Sequence, residues 1–117
     1  MRDLERLTKT DYKACVLLDM HIGHLKSIME LLKRQGIACY IHIDLIKGLS
    51  HDEFACEYII QQYKPKGIVS TKTKVIRKAK SLNTLTIFRV FIIDSQALTR
   101  SIELIKKVEP DFVEVLP

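Results

Sequence analysis

Residues 40–50 read YIHIDLIKGLS, an apolar run rich in β-branched residues that carries His42 and Asp44 two positions apart. In an extended strand successive side chains alternate between faces. His42 and Asp44 are therefore expected on one side, with Ile41, Ile43 and Leu45 on the other. An aliphatic face of that kind suits packing beneath helices. The opposite face then holds two ionisable groups, and the rest of the chain has to explain what surrounds them.

Working outward, short apolar runs alternate with helical patterns. CVLLD precedes HIGHLKSIMELLKRQG, in which Ile22, Leu25, Met29 and Leu32 recur at helical spacing and Gly36 supplies a left-handed stop. After CYIHIDLI, Ser50 or Asp52 can cap a helix through DEFACEYIIQQY that ends before Pro65. GIVST predicts a strand, and KVIRKAKSLN a helix with Val75, Ile76, Ala79 and Leu82 on one side. LTIFRVFIID predicts the next strand, with Ser95 capping QALTRSIELIKKV, and FVEVLP closes the chain after Pro110. Strands joined by helices of about ten residues or more favour parallel pairing, buried on both faces. The fold class is α/β, with parallel strands alternating with helices, and one domain is expected over residues 1–117.

Each expected strand runs into polar residues. The first meets Asp19, the second His42 and Asp44, and the third Ser70, Thr71 and Lys72. The fourth carries Arg89 and leaves at Asp94 and Ser95, and the fifth carries Glu114. Ligands of parallel α/β folds bind beyond the carboxyl ends of the strands. Parity groups Arg89 with Ile87 and Phe91, and Glu114 with Phe112. Buried charges need partners, and Arg89 set against Asp44 and Glu114 supplies both signs.

The chain has 117 residues, 47% hydrophobic and 28% charged, a globular composition. No apolar run approaches the ~20 residues of a membrane span, and the polar start MRDLERLTKTDYKA lacks a secretory h-region. A cytoplasmic protein is expected. Cys15, Cys39 and Cys56 form no CxxC pair and read as small buried hydrophobes. The net charge of +5 tilts towards anionic partners. STKTK offers hydroxyls and amides at a strand-to-helix turn, a geometry that can hold phosphate or simply cap the helix. Lys74, Arg77 and Lys78 form a basic stripe, either a solvated face or an RNA contact. His21 and His24 make a poor metal motif, so no metal or cofactor is expected, and no P-loop, GxSxG or GxGxxG is present.

HIDLIKGLS, KGIVSTK, FRVFIIDS and PDFVEVLP, in this order, resemble the glycerol uptake operon antiterminator family of glycerol-3-phosphate-responsive regulators. The resemblance covers nearly the whole chain. It implies a TIM-type (β/α) barrel without catalytic activity, which binds glycerol 3-phosphate and acts on the leader mRNA of glycerol-utilisation genes to prevent premature termination. Carried across, the polar strand ends match His42, Asp44, Ser70, Thr71, Arg89, Asp94, Ser95 and Glu114. Phe88 stands where the family pattern would place Gln; parity turns it away from Arg89, so the change is expected to affect packing. Complete barrels need about 250 residues, so the resemblance implies an incomplete barrel of about strands two to six. Exposed edges then predict marginal stability, self-association into a homo-oligomer and weakened phosphate affinity.

The competing reading is a (β/α)-barrel enzyme, a lyase, isomerase or metal-dependent phosphodiester hydrolase acting on a small phosphorylated metabolite. His42, Asp44, Lys72, Arg89 and Glu114 would line its active face.

Overall fold

The computed structural model describes residues 14–116; the polar N-terminal stretch and Pro117 lie outside the described residues. The elements, in chain order, begin with β1 (Ala14–Leu17), β2 (Met20–His21), α1 (Ile22–Arg34) and β3 (Ala38–His42). A 3₁₀ turn (Ile43–Leu45) leads to β4 (Ile46–Lys47), α2 (Glu53–Tyr63) and β5 (Gly67–Ser70). Then come α3 (Thr73–Ser81), β6 (Leu85–Phe91), α4 (Ser95–Val108) and β7 (Phe112–Leu116). Five strands in the order β1-β3-β5-β6-β7, all parallel, curl into a half-barrel alternating with helices, in keeping with the expected partial TIM-type fold.

The helix ends follow from local chemistry. The Asp52 carboxylate accepts from the Ala55 amide at 2.9 Å and caps α2. Gly36, at φ +70°, lies just past the end of α1. At α4 the expectation of a Ser95 cap is corrected. Asp94, in extended conformation, accepts from the Ala97 amide at 2.7 Å, and Ser95 is already the first helical residue. A carboxylate at the N-cap also meets the positive end of the helix dipole.

The core lies between sheet and helices. Leu25 and Met29 of α1 meet Cys39, Ile41, Ile68, Cys56 and Ile59, and a second cluster joins Ile76, Phe88, Val90 and Val108. Phe88 thus packs under the helices, on the face its parity assigns. Thr86, Phe88 and Val90 are buried while Ile87, Arg89 and Phe91 lie opposite them and are less so. Gly67 is required by close approach: a Cβ there would lie 2.6 Å from the Tyr40 ring, which crosses β5.

The decisive stretch differs from the expected straight strand. β3 ends at His42, and β4 pairs instead with β2, Met20 opposite Ile46. The reason is packing. Ile43 and Ile46 are both fully buried in the same core cluster. Residues three apart fall on opposite faces of a strand but eclipse one another in a 3₁₀ turn. The turn therefore buries both isoleucines and takes Asp44 out of the strand alternation.

Candidate functional site at the carboxyl rim

His42 ends β3 and is 2% exposed. It shares the face of Tyr40, away from Cys39 and Ile41, which pack under the helices. Among the described residues neither ring nitrogen has a hydrogen-bond partner. Burial lowers the His42 pKa below its usual value; Asp44 and Glu114 pull it up, Arg89 pushes it down, and its own backbone adds the smallest influence. The ring is neutral near pH 7, with one donor and one acceptor nitrogen.

Arg89 and Glu114 stand directly opposite in the β6–β7 register. The Arg89 Nε lies 2.6 Å from Glu114 Oε1, an ion pair rather than an aligned hydrogen bond. The arginine is the more buried partner, its side chain 17% exposed against 40% for the glutamate. His42 senses the charges of Asp44, Arg89 and Glu114, which places one imidazole within electrostatic reach of all three.

Asp44 reaches the rim by a different route from the one strand parity suggests. From the 3₁₀ turn its carboxylate spans to the end of β5. Ser70 Oγ donates to Oδ1 at 2.7 Å, and Thr71 donates to Oδ2 through both its amide, at 2.8 Å, and its hydroxyl, at 2.6 Å. Burial alone would raise the Asp44 pKa, but the bonds from Thr71 and Ser70, helped by His42, leave it lowered. Ser70 Oγ also accepts from the Lys72 amide at 3.0 Å, so the STK turn is organised around this aspartate. Lys72 donates its ammonium to the His51 carbonyl at 3.1 Å.

Other sequence candidates serve elsewhere. Asp94 caps α4, and exposed Asp19 pairs with Lys47 at 3.4 Å. His21 Nδ1 accepts from the Gly23 amide and caps α1. On α3, Lys74 and Arg77 are exposed, whereas Lys78 pairs with Glu57 of α2 at 3.4 Å. Among the described residues no three His, Cys, Asp or Glu side chains gather as metal ligands, and no helix is long and apolar enough to cross a membrane. At the opposite end of the sheet, Asp111 Oδ2 accepts from the Thr86 amide and hydroxyl, and the Thr86 hydroxyl accepts from the Asp111 amide at 2.9 Å. Sequence reasoning missed this clasp between β6 and β7. Its partners lie 25 residues apart in the chain, so no local pattern signals it.

The family model described as glycerol-3-phosphate responsive antiterminator matches residues 1–117. The chain belongs to this family. The crystal structure of the glycerol uptake operon antiterminator regulatory protein from Listeria monocytogenes superposes with a TM-score of 0.88 at 36% identity, covering 99% of this chain and 63% of that one. A glycerol uptake operon antiterminator-related protein from Thermotoga maritima gives 0.82 at 32% identity, over 90% of this chain and 60% of that one. The Escherichia coli protein YgcP is 29% identical over 97 residues, 83% of this chain. The chain spans 51% of the length of YgcP and no more than 63% of either solved antiterminator-type protein. The family is described as one of glycerol-3-phosphate responsive antiterminators.

One prediction concerns the rim histidine of this family member. The unfolded chain binds a proton at His42 near pH 6.5, while the folded chain resists doing so until lower pH. Stability should therefore fall as pH drops from about 6.5 towards the lowered folded pKa, by at most about 1.4 kcal/mol per unit from this group. Denaturation midpoints at pH 7.5 and 5.5 should show a shallower dependence in His42→Gln. Equal slopes would refute the assignment.

Proposed function

We propose that this chain binds glycerol 3-phosphate at the rim of His42, Asp44, Ser70, Thr71, Lys72, Arg89 and Glu114, and that the liganded protein acts on the leader mRNA of glycerol-utilisation genes to prevent premature termination. The observation that carries the reading is the family match across all 117 residues. The rim supplies complementary chemistry. Arg89 and Lys72 offer cations for a phosphate, and guanidinium suits phosphate oxygens in particular. Neutral His42 and the Glu114 carboxylate offer a donor and acceptors for the two hydroxyls.

Regulation then follows from differential affinity: a ligand that binds the RNA-competent form more tightly shifts the population towards it. The test is a mobility shift with leader RNA, run with and without glycerol 3-phosphate. Retardation strengthened by the ligand is expected, and it should weaken steeply as salt rises. No shift in either condition removes the reading.

A further inference from the structure

We infer that the groove between α1 and α2 is a single-stranded RNA site, in which an unstacked base lies against Tyr58 and Tyr63 while flanking phosphates meet Lys26, Lys33, Lys64 and Lys66. The inference rests on the proposed RNA partner and moves its contact away from the stripe on α3.

Two neighbouring cavities form the groove. One, of about 360 Å³, lies between the facing sides of α1 and α2; the other, of about 200 Å³, continues past Lys64 and Lys66 towards the amino ends of the strands. They share Met29 and Lys33, so together they form one track. Lys26 and Lys33 stand seven residues apart on α1, about 10 Å along the axis. The loop after α2 carries Lys64 and Lys66, both exposed. Four lysines thus line the track against a single carboxylate, Glu30. None of the four joins an ion pair among the described residues, whereas Lys47, Lys78, Lys80 and Arg89 all do. The free positive charge of this face is concentrated here.

The aromatic half argues for nucleic acid over a merely acidic partner. Tyr58 and Tyr63 meet edge to face with ring centroids 6.2 Å apart. That arrangement uses only part of the available ring surface, and Tyr58 is 46% exposed. Exposed aromatic faces beside lysines are the elements of single-strand recognition: bases stack on the rings and phosphates follow the cations. Gln62, which also lines the cavity, presents both a donor and an acceptor to a base edge. The stripe on α3 lacks aromatics, and Glu57 already engages its Lys78.

The experiment measures binding of the full chain to leader RNA across a salt series. Tyr58→Leu keeps the bulk and removes the stacking surface; it should weaken binding about fivefold or more. A Lys33→Gln/Lys66→Gln variant should reduce the slope of log affinity against log salt by about 1.4. Lys74→Gln/Arg77→Gln should change affinity less than either. RNA carrying 4-thiouridine should crosslink to wild-type protein within residues 26–33 or 58–66, a readout independent of variant folding. If wild type binds RNA but Tyr58→Leu binds equally well, or the α3 variant loses more, or crosslinks fall elsewhere, the groove is wrong and the proposed function stands. If wild type binds no leader RNA, both fall.

Discussion

Asp44→Asn should lower stability by about 1–2 kcal/mol, although it changes one atom of the side chain. Ser70 Oγ–H points at Oδ1, and the Thr71 amide and hydroxyl point at Oδ2. An amide can present only one oxygen, so either Ser70 or the Thr71 amide must face an NH₂ donor. Ser70 is fully buried, so the amide oxygen should stay on Ser70 and turn the NH₂ towards Thr71, where a donor facing donors costs about 1–3 kcal/mol. Thr71 is exposed, and water holds the loss in the lower part of that range. Charge gives the prediction a second signature. The folded-state pKa of Asp44 is lowered, so its contribution is present above the unfolded value near 3.9 and is lost as pH falls through the folded value. Wild type and variant should therefore converge in strong acid. Denaturant titrations at pH 7 and below pH 3 check both parts; a variant within about 0.5 kcal/mol of wild type at pH 7 would show that the carboxylate does not organise the turn.

Phe88→Ala should cost more, about 3–5 kcal/mol. The ring is 2% exposed and packs with Ile76, Val90 and Val108, in the smaller of the two core clusters. Few neighbours are available to close the cavity. Phe91→Ala is the control: the same residue type on the same strand, three positions on, faces the other side and is 52% exposed. It should change stability by less than about 1 kcal/mol. Thermal or denaturant unfolding of both variants decides the matter, and equal losses would mean that the sheet is not covered on the face assigned here. The family pattern suggests a further comparison. Phe88→Gln would bury an amide in the same cluster, and it should be destabilising unless that amide finds partners.

The fold was legible because strand and helix carry different periods. Val75, Ile76 and Ala79 had to lie on one side of a helix, and Ile41 and Phe88 had to lie under one, whatever the rest of the chain did. For the candidate site, the sequence names residues but not how they are held. Strand endings named His42, Arg89 and Glu114, and register across β6 and β7 brings the last two together. Asp44 stands at the rim for a reason other than strand parity. Nothing in IHIDLI announces that the strand stops at His42, because isoleucine suits strand and turn alike in a core. The three-residue spacing of Ile43 and Ile46 is the trace of the turn, and it is visible only once both are seen to share one cluster. In the basic stripe Lys74 and Arg77 stay exposed, and only Lys78 is engaged, by a partner the local sequence does not show. Glu57 is remote in sequence from Lys78 and approaches it only through the packing of α2 on α3. The edge-to-face contact of Tyr58 and Tyr63 likewise leaves no sequence period of its own.

The bonds at the end of β5 have a consequence for how an anion arrives. The backbone amide of Thr71, at the entrance to α3, already holds a negative group that the chain itself provides. An incoming phosphate that takes this amide must displace a tethered competitor, whose local concentration is of millimolar order or higher. Binding there is an exchange of one anion for another, at an amide the Asp44 carboxylate occupies in the free chain.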